Sequence, residues 1–533
     1  MKNLLLLIAL SMTTTNNLIA QTWDEIIKLT ASDAGEIDGY GSAVSIDGTQ
    51  AIIGARTDSD VGGIAGSAYI LEKSGGVWVE VAKLTASDAD DSDFFGISVS
   101  MSGDQVIVGA YGDEVYSGAA YIFEKIGGTW TEVAKLTASD PATNDFFGAK
   151  VSISTDQAIV GVYGDDDDGD SSGSAYIFEK VGDTWTEVIK LTPSDAMVYD
   201  LFGVSVSIDG DQAIVGAQGN DDDGAFSGSA YIFEKVGESW TEIIKLTASD
   251  ASADAFFGGA VSMSGDQVII GSHGEDEGAF YGGAVYIFEK IGGTWTEVTK
   301  LMPSDPGIND YFGTTVSMSG DKVVVGSDAD GVISDSGSAY IFEKVGGVWT
   351  EILKLTSSDA DAYDSFGDAV AISGSQIIIG AMDNDDHGTS SGSAYVFDKC
   401  EELTVTASAT ETEVCEGESI VLTGEGSDTY IWDLDVSDGV AFAPPVGETT
   451  YTVQGTDTEG CSGVDSVDIT VIEEITITSV TIDEIAGGDG AIDITVSGGE
   501  PTYVFDWDND GTGDFDDLED LTGLTAGTYT VVV

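Results

Sequence analysis

The sequence predicts an all-β protein: a seven-bladed β-propeller followed by two small β-sandwich-like modules. The first observation behind this is a block that returns seven times between Trp23 and Lys399, a sustained period that is typical of repeat architectures. The second is that each copy contains four short candidate strands, so that a four-stranded sheet repeats radially. The third is that no segment shows helical periodicity or helix caps.

An aromatic–glycine step marks each copy of the block. The intervals between successive steps are 55, 52, 55, 55, 55 and 54 residues, and nearly all of this variation lies in one acidic segment of each copy. Loops tolerate insertions and core strands do not, so the acidic segment is a surface loop. The seven glycines are Gly41, Gly96, Gly148, Gly203, Gly258, Gly313 and Gly367.

The second copy illustrates the four candidate strands, which are Gly96–Met101, Gln105–Ala110, Ala119–Glu124 and Trp130–Leu136. The second and third of these are continuous apolar runs, as expected for strands buried on both faces. The fourth strand also occurs before the first copy, at Trp23–Thr30, and is missing from the seventh. We therefore expect the N-terminal strand to complete the last blade and close the ring, which removes two exposed sheet edges.

These motifs resemble the FG-GAP repeats of integrin-α-type propellers, most closely the bacterial branch, over about residues 22–399. The carrying patterns are Trp-x-x-x-x-Lys-Leu-x-x-x-Asp, Phe-Gly-x-x-Val and Gly-Ser-Ala-Tyr-x-Phe. The resemblance implies an extracellular platform for ligand binding or adhesion. Integrin-type blades carry an Asp-x-Asp-x-Asp-Gly calcium loop between their first two strands. Here that connection is only the short turn Ser102–Gln105, so those calcium sites cannot be carried over.

Residues 1–20 have the features of a secretory signal peptide, and residues 21–399 form the predicted propeller. Lys2 precedes a short apolar run, Leu4–Leu10, and Leu18-Ile19-Ala20 stands before Gln21. The run is too short to span a bilayer. We therefore expect a secreted or extracellular protein without a membrane span, either free or attached to the bacterial cell surface.

The charge balance excludes some partners. Lys plus Arg is 18 and Asp plus Glu is 95, which gives a formal net charge of −77. Nucleic acid and anionic lipid both require basic residues, so neither is an expected partner. A hydrophobic content of 42% shows that the acid is carried by the loops of a folded protein and not by a disordered tail.

Two acidic positions recur in the propeller. They fit caps that bond nearby backbone N–H groups, with metal binding as the alternative. The acidic variable loops, such as residues 165–170, 220–224 and 383–386, fit either weak calcium binding or a solvated rim. Eight residues before the glycine stand Asp33, Asp88, Asp140, Asp195, Asp250, Asp305 and Asp359. Three residues before it stand Asp38, Asp93, Asp145, Asp200, Asp310 and Asp364.

Residues 400–472 alternate in strand fashion and predict a β-sandwich. The segment resembles the Ig-like or PKD-like modules of bacterial surface proteins, through Cys415-Glu-Gly-Glu-Ser, Tyr430-Ile-Trp432 and Tyr451-Thr-Val with Gly460-Cys461. The odd number of cysteines leaves at least one unpaired or bonded outside the chain. We expect Cys415 to pair with Cys461, closing a loop worth about 4 kcal/mol, which leaves Cys400 over.

Residues 473–533 resemble a truncated repeat of the gliding-motility surface adhesins of SprB type, through Gly488–Ile494, Gly498–Tyr503 and Leu521–Tyr529. The chain stops at Val533 in mid-strand, so we expect a monomeric propeller within a longer surface protein. The module also contains a loop with the carboxylate spacing and central glycine of a calcium site. The alternative is an Asp-rich hairpin tip without metal. The candidate ligands are Asp506, Asp508, Asp510, Thr512, Asp514 and Asp517.

The sequence predicts no catalytic residue and no organic cofactor. Its two histidines, His273 and His387, stand in different blades without a matching partner and are interpreted as surface-loop residues. We therefore expect a non-catalytic, adhesin-like protein whose propeller binds an extracellular glycan or protein. The alternatives are a secreted polysaccharide-degrading enzyme and a structural spacer of a surface filament. A non-repeated polar cluster in the central channel would favour the enzyme, and a uniform channel with variable outer loops would favour binding.

Overall fold

The computed structural model describes residues 22–533 except 61, 331–334, 401–402, 458–460, 500–501 and 508–516. The described chain divides into two compact units, residues 22–399 and 400–533, and each unit is described by itself. Strands dominate both units. Among the described residues no helix is long and apolar enough to cross a membrane.

The first unit is a seven-bladed propeller of four-stranded antiparallel sheets, as the sequence predicts. The N-terminal strand is β1 (Thr22–Leu29). Blade 1 comprises β2 (Tyr40–Asp47), β3 (Gln50–Ala55), β4 (Ser67–Ser74) and β5 (Val77–Leu84). Blade 2 comprises β6 (Ser98–Ser102), β7 (Gln105–Ala110), the single turn α1 (Asp113–Tyr116), β8 (Ala119–Ile126) and β9 (Thr129–Leu136). Blade 3 comprises β10 (Lys150–Ser154), β11 (Gln157–Val162), β12 (Ser174–Val181) and β13 (Thr184–Leu191).

The remaining blades repeat this plan. Blade 4 comprises β14 (Phe202–Asp209), β15 (Gln212–Ala217), β16 (Ser229–Val236) and β17 (Ser239–Leu246). Blade 5 comprises β18 (Ala260–Ser264), β19 (Gln267–Ser272), β20 (Ala284–Ile291) and β21 (Thr294–Leu301). Blade 6 comprises β22 (Thr315–Ser319), β23 (Lys322–Ser327), β24 (Ser338–Val345) and β25 (Val348–Leu355). Blade 7 contains β26 (Ala369–Ser373), β27 (Gln376–Ala381) and β28 (Ser393–Cys400).

The N-terminal strand closes the ring. The seventh sheet has the order β1-β28-β27-β26, so β1 is its fourth strand, as the sequence predicts. Two side chains of β1 hold the segment that leads into blade 7. Lys28 Nζ lies 2.6 Å from Asp359 Oδ2, and Ser358 Oγ donates to Glu25 Oε1 at 2.8 Å.

The aromatic–glycine step packs one blade against the next. Phe95 is fully buried and meets the ring of Tyr121 edge-on, with centroids 5.5 Å apart. The following Gly96 has φ +93°, and a Cβ there would lie 2.3 Å from the carbonyl oxygen of Ser67 in the preceding blade. Only glycine permits this backbone and this approach, which accounts for the repeated motif.

Ion pairs between third strands run around the whole ring. The lysine of one blade lies against the carboxylate of the preceding blade, and both partners are buried or half-buried. The seven pairs therefore fix the position of each blade relative to the next. The pairs are Lys73–Asp398, Lys125–Glu72, Lys180–Glu124, Lys235–Glu179, Lys290–Glu234, Lys344–Glu289 and Lys399–Glu343.

The second unit contains smaller sheets with their own cores. A three-stranded and a four-stranded sheet share a core that includes Leu422, Trp432 and Ile469. Their strands are β29 (Thr406–Ala409), β30 (Glu413–Cys415), β31 (Ile420–Glu425), β32 (Thr429–Trp432), β33 (Ala441–Phe442), β34 (Gly447–Thr456) and β35 (Ser462–Ile472). The sheets β36-β37-β39 and β38-β40 follow, with β36 (Thr476–Ile482), β37 (Gly490–Ser497), β38 (Asp506–Trp507), β39 (Leu521–Leu524) and β40 (Val531–Val532).

The predicted disulfide between Cys415 and Cys461 is wrong. Cys415 is a free, exposed thiol, whereas Cys461 is disulfide-bonded. Cys415 is paired with Ile472 at the end of β35, and Cys461 lies just before Ser462 at its start. The length of β35 between them is about 33 Å, and the Cα atoms of a disulfide lie only about 4.4–6.8 Å apart. The side chain of Cys400 lies outside the described residues.

Candidate ligand-binding site at the channel mouth

The propeller has two unlike faces. Two residues join the first strand of each blade to the second, as Gly103-Asp104 does between β6 and β7. The connection from the second strand to the third is much longer, as between Ala55 and Ser67, and so is the connection from one blade to the next. Because the strands are antiparallel, both kinds of long connection lie at one end of the blades. We call this end the loop face and the other the turn face.

The innermost strands line a narrow central channel with a cavity of about 160 Å³. Most of the lining is small or apolar, such as Ala43, Val99 and Val261. Two charged side chains break this pattern, Lys150 of blade 3 and Asp368 of blade 7. The channel is therefore not uniform around the ring.

A ring of non-repeated residues surrounds the loop-face mouth of the channel. Each follows the second strand of its blade directly, and all seven are half-buried. Two of their side chains lie against the channel lining: a Cβ on channel-lining Gly259 would meet Gln218 Oε1 at 2.9 Å and His273 Nδ1 at 3.1 Å. The mouth ring consists of Arg56, Tyr111, Tyr163, Gln218, His273, Asp328 and Met382.

Aromatic side chains extend this ring outward. Phe94, Phe146 and Phe256 each precede an aromatic–glycine step and adopt φ of +56°, +60° and +55°. A positive φ raises the conformational free energy of a residue other than glycine, and it persists only where the surrounding structure imposes it. The three phenylalanines stack on mouth-ring residues, with centroid distances of 5.1 Å for Phe94–Tyr111, 5.2 Å for Phe146–Tyr163 and 5.1 Å for Phe256–His273.

The interpretation of His273 as a surface-loop residue is therefore corrected. It lies directly after β19 with its ring nearly parallel to that of Phe256, at an interplanar angle of 3°. Burial lowers the pKa of this imidazole, which keeps it neutral near physiological pH.

The charged groups of the mouth perturb one another. Burial raises the pKa of Asp368 to about 6, and the charge of Asp328 adds to this, while Arg56 and Lys150 oppose it. Lys150 is reached by solvent in the channel but is encircled by the innermost strands, and this enclosure lowers the pKa of its ammonium group. Perturbed groups of this kind are typical of functional sites, although structural networks also produce them.

The repeated acidic positions have structural roles. The six aspartates three residues before the glycine accept from backbone N–H groups, as Asp93 does from Asp90 N at 2.6 Å, so they cap turns as predicted. The seven aspartates that stand eight residues before the glycine also bind side chains. Asp33 accepts from Tyr69 Oη at 2.9 Å and pairs with Lys83 at 2.7 Å, and the other six blades repeat this arrangement. Burial opposes the charge of Lys83, but the hydrogen bonds that its ammonium group donates to the carboxylates outweigh burial and raise the pKa of Lys83.

The acidic variable loops supply further partners for these lysines. Asp165 and Asp167 both lie 2.7 Å from Lys190 Nζ. Among the described residues, no group of three or more His, Cys, Asp or Glu side chains is arranged to hold a metal ion.

Most of the predicted calcium loop lies outside the described residues, namely Asp508, Asp510, Thr512 and Asp514. Its two ends are described. Asp506 starts β38, and Asp517 forms a bridge with the neighbouring Phe505, so the first and last predicted ligands are brought close together. One oxygen of Asp517 is occupied, because it accepts from Trp507 N at 2.6 Å. Calcium binding by this loop stays a prediction.

A closed propeller with short turns on one face and a varied, partly aromatic mouth on the other defines the class: a repeat scaffold whose copies differ at the loop face. The FG-GAP repeat family model matches seven segments, residues 23–71, 78–123, 130–178, 185–233, 240–288, 295–342 and 349–397. The chain therefore belongs to the FG-GAP repeat family. No curated protein matches the chain.

Sequence reasoning missed the mouth ring, although the signal was present. The residue after the second strand differs in almost every copy, while the residue before it is always small or β-branched and follows a repeated apolar strand. In a repeat protein, such a position is not required by the scaffold. Aligning the copies and asking where they disagree would have found the ring.

Proposed function

We propose that this FG-GAP propeller is a non-catalytic extracellular binding protein of adhesin type that holds a glycan at the loop-face mouth of its channel. The observation that carries the proposal is the set of stacked aromatic pairs at the mouth, Phe94–Tyr111, Phe146–Tyr163 and Phe256–His273. FG-GAP propellers are typical of extracellular proteins, and ligand binding is typical of them.

The chemistry of the mouth suits a sugar. Aromatic side chains offer large apolar surfaces at a small cost in conformational entropy, and the C–H face of a pyranose can stack on them. Ligand sites combine such surfaces with a few polar groups that fix orientation. Gln218, Thr314 and Asp368 supply such groups for sugar hydroxyls.

A second candidate function is supported by a specific observation. The channel contains a non-repeated polar cluster, and this is the feature that the sequence analysis assigned to an enzyme. Asp368, with a pKa of about 6, has the character of a general acid or base near neutral pH, and Lys150 lines the same channel. A polysaccharide-degrading enzyme therefore stands as the alternative.

Binding and turnover separate these functions. The full chain is screened in millimolar calcium on an array of polysaccharides and matrix proteins, and bound polysaccharides are then analysed for cleavage. The proposal predicts saturable binding to an intact glycan, weakened by Tyr111→Ala or Tyr163→Ala. The matched control is Tyr363→Ala, which removes an exposed tyrosine outside the ring. Cleavage would establish the enzyme, protein-only binding would exclude a glycan ligand, and no binding at all would favour the structural spacer.

The remaining parts of the chain fit a displayed binding protein. The sandwich-like modules of residues 400–533 would act as a stalk in a secreted or surface-attached protein. The loop at residues 506–517 would bind calcium through its carboxylates, which are the ligands that this hard cation prefers. These assignments follow from the sequence patterns and are part of the proposal.

A further inference from the structure

Almost all basic residues of the propeller belong to two repeated sets of ion pairs. Seven lysines pair between third strands, and seven more on the fourth strands pair with loop carboxylates. Three basic residues of the propeller remain. Lys322 donates to the carbonyl of Gly374 at 2.9 Å, at a turn on the turn face. Arg56, the only arginine of the chain, and Lys150 stand at the channel mouth.

Arg56 and Lys150 form no close ion pair with a carboxylate of the described residues. Among the described residues, neither side chain makes an ion pair within 4.0 Å or a hydrogen bond. Each of the fourteen lysines in the two repeated sets makes one to three ion pairs. Asp368 attracts Lys150 only at longer range. In a chain with a net charge of −77, two cations without a close carboxylate at the channel mouth are available to an external anion.

The mouth is asymmetric in charge. Arg56 belongs to blade 1 and Lys150 to blade 3, and the stacked pairs of Tyr111 and Tyr163 lie on blades 2 and 3. The charge of Arg56 acts on the hydroxyl of Tyr111, so the cation lies beside an aromatic pair. The carboxylates Asp328 and Asp368 stand on blades 6 and 7. An anionic group would therefore enter on the side of blades 1–3.

We propose that the glycan held at this mouth carries an anionic group, a carboxylate or a sulfate, that binds between Arg56 and Lys150. This inference rests on the proposed function and names the class of its ligand. A guanidinium presents paired N–H groups that match a carboxylate or sulfate. Tyr111 and Tyr163 then stack on the sugar that carries the anion, and Asp328 and Asp368 accept from its hydroxyls.

Calorimetric titration of the full chain tests the inference. Three sets of oligosaccharides of equal length are used: uronates, sulfated sugars and neutral sugars. The variants are Arg56→Gln and Lys150→Met, and the control Lys322→Met removes the same charge on the turn face. We expect one anionic set to bind, each mouth variant to weaken it by about tenfold or more, and the control to leave it unchanged, because hydrogen bonds to charged groups are among the strongest polar contacts. Lys150→Arg keeps the charge and is expected to stay within about threefold of the parent.

The outcomes separate the inference from the proposed function. If neutral sugars bind and the mouth variants change nothing, the anionic ligand is excluded, and Tyr111→Ala and Tyr163→Ala then decide whether the neutral glycan binds at the mouth. If anionic sugars bind equally to the parent and to both mouth variants, the anion binds elsewhere and the inference is overturned. If no sugar of any set binds, both the inference and the proposed function are wrong. Thermal melting of every variant shows that its propeller is intact.

Discussion

Arg56, Tyr111, Tyr163 and His273 occupy one and the same position in four blades, directly after the second strand. The strand residues beside them repeat because every blade must pack against its neighbours, as blade 2 does where Gly96 lies against the carbonyl of Ser67 in blade 1. Packing imposes no such requirement at the mouth, and there the copies differ. At the residue scale, repetition thus marks the scaffold and divergence marks the candidate site.

Tyr40 is the exception among the buried aromatics of the repeated step, because the other six blades have phenylalanine there. Its side chain is fully buried, and its hydroxyl has no hydrogen-bond partner among the described residues. An unsatisfied buried hydroxyl is costly, so we expect Tyr40→Phe to stabilise the propeller by about 1 kcal/mol. Thermal melting measures this. The matched variant Tyr69→Phe removes a hydroxyl that bonds Asp33 and Asp58 and should destabilise; a lower melting temperature for Tyr40→Phe would contradict the account.

Asp368 makes stability depend on pH in a defined window. Its pKa in the folded protein is about 6 against an ordinary value of 3.8, because burial and the charges of Asp328 and Asp383 outweigh Arg56 and Lys150. The folded state therefore holds more protons than the unfolded state between about pH 4 and 6, and stability falls as the pH rises through this window.

The variant Asp368→Asn removes this contribution. We expect its melting temperature to match the parent at pH 4 and to exceed it by roughly 1–3 °C at pH 7. Measuring both proteins at both pH values cancels the titration of the other carboxylates. An equal difference at the two pH values would show that the pKa of Asp368 is not raised.

The strands were largely predictable from the sequence, and the differences have physical causes. The predicted strand Gln105–Ala110 coincides with β7, whereas the first strand of that blade begins at Ser98 and not at Gly96. Gly96 has φ +93°, outside the range of a regular strand, because it turns the chain against the preceding blade. The Cys415–Cys461 pairing failed because strand order, unlike strand position, cannot be read from an alternating pattern.

The closing strand β1 should support the whole ring. Deleting Trp23–Thr30 exposes the edge of β28 to solvent. The deletion also removes the contacts of Lys28 and Glu25 with the segment that leads into blade 7. We expect the melting temperature of the propeller to fall and the chain to aggregate more readily. A synthetic peptide of residues 22–30, added in excess, should restore part of the loss. An unchanged melting temperature would rule out closure by this strand.

The loop between Asp506 and Asp517 gives a second prediction at the scale of the element. If it binds calcium, added calcium should raise the thermal stability of the full chain, and a chelator should reverse the gain. Asp510→Ala should abolish the response. The control Asp170→Ala removes a carboxylate from an acidic propeller loop and should leave the response intact. A response that persists in Asp510→Ala would place calcium elsewhere.

At the scale of the whole molecule, seven short segments about 55 residues apart meet at one channel mouth. The repeat and its closure, visible in the sequence, predict that such a mouth exists. The residues that converge there could not be paired in advance, because Arg56, Lys150 and Asp368 are brought together only by closure of the ring. The family supplies the scaffold, and we propose that the non-repeated residues decide what it binds.

Hydrogen exchange of the full chain with and without its best-binding glycan would locate the binding site on the propeller. We expect the ligand to slow exchange in the loop-face segments around Phe94–Ile97 and Phe146–Lys150, because these border the aromatic pairs and Lys150. The turn-face segment around Gly103-Asp104 should be unaffected. Protection confined to the turn face, or to residues 400–533, would contradict a binding site at the channel mouth.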